Sequence, residues 1–237
     1  LTGCSFTDNV ADREGGGIAA ASTSVVSCTD CFFDGNTGER GGAVDLTGDA
    51  AFSDQNGLYT SNEATDQDGG AIRVTNGAEV HVTGGDFTGN TAGQAGGAIY
   101  ISSPGDSVAI DTTSFSVNTA DNGDGGAVCA DRDTDLFIDE CTFDDNQSTF
   151  GSGGALAFDV IAAGFLVQIS SSRFEVNEDG QDGGAVSSEG ADLVSVSDTS
   201  FIRNRAPAGS GGALYLDANE DHSLLRSLFH ANLADDA

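Results

Sequence analysis

The sequence has no lysine, no methionine and no tryptophan, and only two prolines in 237 residues. Its eight basic residues are all arginine, set against 38 acidic ones, for a net charge of −30. So negative a field repels nucleic acid and anionic membranes, which excludes them as partners. It suits cations, basic partners, or a salty medium in which close carboxylates are screened. No run of 18 or more apolar residues occurs, so no helical membrane span and no direct membrane insertion of this segment is expected. No signal peptide is visible. With no linker-like stretch, residues 1–237 are expected to form one domain. The chain opens and closes inside repeats, as a piece of a longer chain would.

What is present is a repeat. Nine times an aromatic residue is followed three positions later by asparagine: Phe6/Asn9, Phe33/Asn36, Tyr59/Asn62, Phe87/Asn90, Phe115/Asn118, Phe143/Asn146, Phe174/Asn177, Phe201/Asn204 and Phe229/Asn232. The steps run from 26 to 31 residues, most often 28. A period of that size marks one supersecondary unit per copy, which must stack on its neighbours to bury its apolar face. The hydrophobic share of 38% recurs in phase with this period, which argues against a disordered acidic chain.

Between the aromatic pairs lies a second motif, two glycines, a small residue and an aliphatic one, as in Gly41-Gly42-Ala43-Val44 and Gly96-Gly97-Ala98-Ile99. A glycine pair permits a sharp turn and close backbone approach. The aliphatic residue opens a short period-2 strand, for example Ile72/Val74, and a second alternation follows, as in Val108/Ile110 and Val167/Ile169. A third strand ends at the aromatic. Two residues before each aromatic the side chain is always small: Cys4, Cys31, Gly57, Gly85, Thr113, Cys141, Ser172, Thr199, Ser227. Small beside large at a fixed inward position fills a narrow core. These features predict an all-β fold, a single-stranded right-handed parallel β-helix of about nine coils with three short strands per coil. At roughly 4.8 Å per coil the rod is about 40 Å long.

Stacking places equivalent residues in columns. Buried amides at Asn9, Asn36, Asn62, Asn90, Asn118, Asn146, Asn177, Asn204 and Asn232 can satisfy turn backbone and one another, and the phenylalanines stack their rings. The residue before each glycine pair reads Glu14, Arg40, Asp68, Ala95, Asp124, Ser152, Asp182, Ser210, a column that avoids like charges. One position past the aliphatic, Asp45 is expected to face Arg73 as a surface ion pair, worth roughly 0–1 kcal/mol.

The joint GGA[ILV] and FxxN pattern, over essentially the whole chain, resembles the repeat of the polymorphic outer membrane proteins. These are bacterial surface proteins best known from chlamydiae, whose passenger regions look like right-handed β-helices. The resemblance implies an extracellular or cell-surface location and adhesion. No autotransporter barrel is visible.

Catalytic signals are sparse. Polygalacturonase-like sites use clustered Asp, a Gly-His-Gly and an Arg-x-Lys, and pectate-lyase-like sites use a Ca²⁺-holding Asp cluster with Arg or Lys as base; Lys and Gly-His-Gly are absent, and His81, His222 and His230 are scattered. Asp144-Asp145 is the single internal Asp pair, and the largest insertion, around 161–165, is short for a cleft. An enzyme is not expected. The turns after the asparagines are acidic, with Asp66 and Asp68, Asp121 and Asp124, and Asp179 and Asp182. Neighbouring turns could share Ca²⁺ through such oxygens, although a solvated, halotolerant face is the simpler reading. No cofactor is otherwise expected. Cys4 and Cys31, on adjacent coils, or Cys28 and Cys31, are candidates for a disulfide, while Cys129 should point outward as an exposed thiol.

A passive scaffold or filament component is therefore expected. It would present acidic faces to copies of itself, other surface proteins or carbohydrate. A polysaccharide-binding or polysaccharide-cleaving β-helix is the alternative.

Overall fold

The computed structural model describes residues 1–105, 107–132, 135–159, 166–189, 193–217 and 222–235. The expected insertion around 161–165 lies outside the described residues. The chain winds into a parallel β-solenoid in which every strand pairs with its equivalent one coil away. Four sheets run along the axis rather than one for each of three expected strands. The first begins at the aliphatic residue after each glycine pair, from Ile18–Ala21 to Leu214–Asp217. The second runs from Val25–Thr29 to Ser223–Leu225, and the third carries the aromatics, from Ser5–Thr7 to Leu228–His230. The fourth, from Thr37–Gly38 to Leu233–Ala234, consists of two-residue strands just past the asparagines. Such strands are too short for a period-2 alternation, so periodicity reveals only the other three. The aromatic sheet has nine strands and the others eight, which makes about eight full turns rather than nine.

The coil turns its corners with residues at positive φ; one corner follows the first sheet, as at Ser22, Asn76 and Arg132, and three others recur along the chain. One lies just before the small column, as at Asp30, Thr112 and Glu140; one lies just before the asparagine, as at Gly89, Val117 and Asp145; the third is the first glycine of each pair. Only the third demands glycine throughout. A Cβ on Gly41 or Gly69 would run into the carbonyl of the aliphatic residue three positions on, Val44 or Ile72. At the second glycine, a Cβ on Gly126 would strike the carbonyl of Gly154 in the next coil. The pair is thus required twice over, by the turn and by the stacking distance.

Inward alternation fills the interior as expected: Val80, Val82, Val108, Ile110, Leu136, Ile138, Val167, Ile169, Val194 and Val196 are all buried. Along the first sheet Ala130, Phe158 and Ser188 are in register, so a large ring is accommodated by small neighbours on both sides.

Candidate functional site

The most ordered chemical feature is the asparagine column. It runs unbroken through Asn9, Asn36, Asn62, Asn90, Asn118, Asn146, Asn177, Asn204 and Asn232. Each side-chain Nδ2 donates to the Oδ1 of the asparagine in the next coil, at 2.7–3.0 Å over all eight steps. The same Oδ1 accepts the backbone N–H of the asparagine one coil earlier, as from Asn36 to Asn62, Asn90 to Asn118 and Asn177 to Asn204, each at 3.0 Å. The second Nδ2 hydrogen reaches back to the carbonyl of the preceding coil's aromatic. Asn36 donates to Phe6, Asn62 to Phe33, Asn118 to Phe87, Asn177 to Phe143 and Asn204 to Phe174, at 2.8–3.1 Å. Donors and acceptors are therefore matched inside a dry interior.

Burial along this column is not uniform, which corrects the expectation of nine buried amides. Asn36, Asn62, Asn90, Asn118, Asn146, Asn177 and Asn204 are buried, but Asn9 is exposed and Asn232 half-buried. The two end residues have a neighbouring asparagine on one side only, so water reaches them. The seven buried amides are structural, since their hydrogen-bonding capacity faces other coils rather than a ligand. Beside this row the rings of Phe6, Phe33, Tyr59, Phe87, Phe115, Phe143, Phe174, Phe201 and Phe229 stack with centroids 4.3–5.0 Å apart.

The small column has a second reason beyond size. Thr113, Ser172 and Thr199 donate their hydroxyls to the carbonyl two residues earlier at 2.7–2.8 Å, and Cys4, Cys31 and Cys141 point their thiols the same way. Cys, Ser and Thr are interchangeable there because each is a short donor. All five cysteines are unbridged, so neither Cys4–Cys31 nor Cys28–Cys31 is joined in the structure. Burial pushes the thiols of Cys28 and Cys141 up to about 12. Cys129 is outward by register, between Tyr100 and Ala157, yet it is only 4% exposed and is not the accessible thiol expected.

The acidic turns make contacts with the backbone of the next coil. Asp68, Asp124 and Asp182 each use Oδ1 to accept the backbone N–H of the equivalent residue one coil on, Ala95, Ser152 and Ser210. Asp66 and Asp121 are exposed at the turn tips. Asp179 points inward and is 1% exposed. Members of each expected pair thus point apart, and among the described residues no group of three or more His, Cys, Asp or Glu is arranged to hold a metal ion. The column before the glycine pairs owes its pattern to these backbone contacts as well as to charge, and Glu14 and Arg40 do form an ion pair in it.

The burial of two acids, Asp54 and Asp179, is not evident from composition or turn position. Asp54 stands in the second sheet between Cys28 and Val82, where the rest of the column is aliphatic. Burial pushes its carboxyl up to about 6, against the pull of the Gly57 N–H and the Tyr59 hydroxyl. Gly57 is glycine because a Cβ there would collide with this carboxylate. Asp179 occupies the inward position of the fourth sheet, next to Ser148. Burial and the nearby Asp182 charge push it up to about 7. Aligning the repeats would have exposed both, since each is an acid in a column of apolar or small residues.

Asp45 and Arg73 are corrected from a surface pair to a largely buried one. Arg73 Nη1 contacts Asp45 Oδ1, and Arg40 Nε lies 3.8 Å from Asp45 Oδ2. Burial raises the Asp45 pKa against the opposing charges of Arg73 and Arg40. On the aromatic sheet Arg173 and Arg203 both pair with Glu175. Asp145 turns a corner beside Val117 and Val176.

Two segments, residues 3–21 and 85–102, match the Chlamydia polymorphic membrane protein repeat. Each carries an aromatic–asparagine pair and the glycine motif that follows, Phe6, Asn9 and Gly15–Ile18 in one, Phe87, Asn90 and Gly96–Ile99 in the other. No curated protein and no solved structure matches the chain.

Proposed function

We propose that this chain is a surface-associated β-solenoid module, extracellular or at the cell surface, that works as a stiff structural and adhesive spacer. The observation carrying this reading is the unbroken asparagine ladder, which ties every coil to the next without a gap. Such a rod resists bending and holds its outer faces at a fixed spacing. The repeat matched by residues 3–21 and 85–102 is of a polymorphic membrane protein, which favours display at a surface, and that repeat family is not an enzyme family. Arg40, Arg73, Arg173 and Arg203 are committed to ion pairs, and Asp68, Asp124 and Asp182 to backbone caps, rather than gathered round one cleft. That dispersal favours a passive role.

Beads coated with the purified chain test the proposal. The beads are expected to be retained on protein- or glycan-coated surfaces, and solutions of acidic polysaccharide incubated with the chain should show no new reducing ends and no unsaturated products. Cleavage that disappears in Asp145→Asn or Arg173→Ala would overturn the passive reading.

A further inference from the structure

The short fourth sheet has an outer face that the spacer role does not use. There Thr119, Gln147 and Glu178 follow one another in register. Along one side runs a corner row of Val117, Asp145 and Val176, each just before its asparagine and each at positive φ. In earlier coils the same place is taken by Asp8, Gly35, Ser61 and Gly89. A β-branched side chain is strained in the left-handed region. Both valines are also exposed to water, so neither the backbone nor the core gains from them. They stand two coil steps apart, about 10 Å. Between them opens a cavity of about 270 Å³ whose lining includes Thr119, Asp145 and Gln147. That approaches the roughly 300 Å³ at which ligand pockets begin.

On the other side of the sheet stands Phe150, three residues on from Gln147 and therefore within roughly 10 Å of it along the chain. Its side chain is 66% exposed. Apart from Phe229 in the last coil, it is the one exposed phenylalanine among the described residues. Asn122, Phe150 and Gln181 hold the same place in consecutive coils, four residues after Asn118, Asn146 and Asn177. Gln181 Nε2 donates to the Phe150 carbonyl at 2.6 Å, and Asn122 Nδ2 to the Gly93 carbonyl at 2.9 Å. Each amide is thus anchored through its N–H, and its oxygen can accept from a ligand. An aromatic ring sits between two braced amides, and the bracing reduces what binding would lose in side-chain freedom.

We propose that this face binds a neutral glycan, one sugar seated between Val117 and Val176 and a neighbouring one stacked on Phe150. A pyranose ring has apolar C–H faces and a rim of hydroxyls. The C–H face suits the valine walls and an aromatic ring, whose own face is negative. The hydroxyls suit Thr119, Gln147 and Asp145, which between them donate and accept. An anionic glycan would be repelled by the net charge of −30. A basic peptide fits less well, because Glu178 already has Arg205 as an ion partner at 3.5 Å, and the capacity left around it is mostly hydroxyl and amide. This site rests on the adhesive role proposed above and gives that role a ligand class.

Binding of the intact, fluorescently labelled chain to printed oligosaccharides tests it, with cellotetraose, chitotetraose, mannotetraose and galactotetraose beside sialyllactose, heparin and nona-arginine. Saturable binding to at least one neutral tetrasaccharide is expected. Phe150→Ala and Gln147→Ala should each weaken it tenfold or more, and Phe150→Tyr should keep it. Leu193→Ala, at an exposed position on the second sheet, should leave it within twofold. The double change Val117→Asn with Val176→Asn should weaken binding at least fivefold while raising the melting temperature, since asparagine tolerates the left-handed backbone. Equal loss in the Leu193→Ala chain, binding to sialyllactose or heparin in place of the neutral sugars, or Phe150-dependent capture of nona-arginine would overturn the proposal. Coated beads still held on protein surfaces, with no neutral tetrasaccharide bound, would overturn this site and leave the adhesive role standing.

Discussion

Arg73 Nη1 lies 3.1 Å from Asp45 Oδ1 in the neighbouring coil, and Asp45 is only 2% exposed. The two residues of this pair are unequal. Removing the arginine strands a buried carboxylate, whereas removing the carboxylate leaves a guanidinium closer to water. Arg73→Ala is therefore expected to cost about 3 kcal/mol in urea unfolding, somewhat tempered by Arg40, and Asp45→Asn distinctly less. Equal costs would show that the pair behaves as the solvent-screened contact that sequence alone suggested.

The fold should become more stable as pH falls from 8 to 5. Asp54 and Asp179 have folded-state values of about 6 and about 7, raised above the ordinary value of 3.8. A carboxyl whose pKa rises on folding favours the protonated native state. Its contribution is full below the unfolded value and is lost as pH rises through the folded one. At about 1.36 kcal/mol per pKa unit the full contribution is about 3 kcal/mol for Asp54 and about 4 kcal/mol for Asp179, and only part of it develops between pH 8 and 5. Melts across this range should show the rise, and Asp54→Asn and Asp179→Asn should each flatten part of it. A stability maximum near pH 8 would contradict the burial of these acids.

The ladder predicts a gradient of sensitivity. Asn118→Asp deprives both the Phe87 carbonyl and Asn146 Oδ1 of the Nδ2 donor, and should cost about 3 kcal/mol. Asn62 and Asn177, buried in the same way, should respond alike. Asn9, at the outer end, is exposed and its replacement should be far milder. Chemical denaturation of the variants checks the contrast.

Glycines should divide the same way. Gly126→Ala forces a methyl against the Gly154 carbonyl and the Gln147 backbone, at a cost of about 3 kcal/mol. Gly89→Ala has open space, the nearest atom being Ser61 Oγ at 3.9 Å, and incurs only the left-handed backbone penalty of about 1 kcal/mol. Thermal melts of the two variants would measure the difference.

Thiol labelling reads the cysteines. Cys4 is partly exposed and the other four are buried, so iodoacetamide should modify Cys4 alone in the native chain. All five should react after unfolding under non-reducing conditions. Two missing labels would instead reveal an oxidised bridge among Cys4, Cys28 and Cys31.

The solenoid itself was legible because its columns are written as identities. Phenylalanine and asparagine recur where a ring must stack and an amide must bond, and no other residue type does either job as well. The glycine pair was legible for the same reason, since two separate collisions forbid a side chain. The fourth sheet was not, because Thr91–Ala92 and its equivalents are too brief to show a period. The exposure of individual side chains was not legible either. Cys129 and Asp45 share an outward column with Tyr100 and Arg73, and it is those larger neighbours that decide how much water reaches them. Identity alone likewise makes Asn9 and Asn204 look equivalent, although only Asn204 is enclosed by coils on both sides. The acidic turns misled for a further reason. Composition shows where carboxylates are dense, but not that Asp68, Asp124 and Asp182 each accept a backbone N–H one coil away.

Because each amide in the central row passes a hydrogen toward the carboxyl-terminal coils and offers its oxygen toward the amino-terminal ones, the individual dipoles add along the axis. The molecule therefore has electrical polarity as well as length. Its two tips are chemically unlike, one presenting an amide oxygen and the other an amide N–H, so whatever abuts them, whether further protein or an ion, meets opposite invitations.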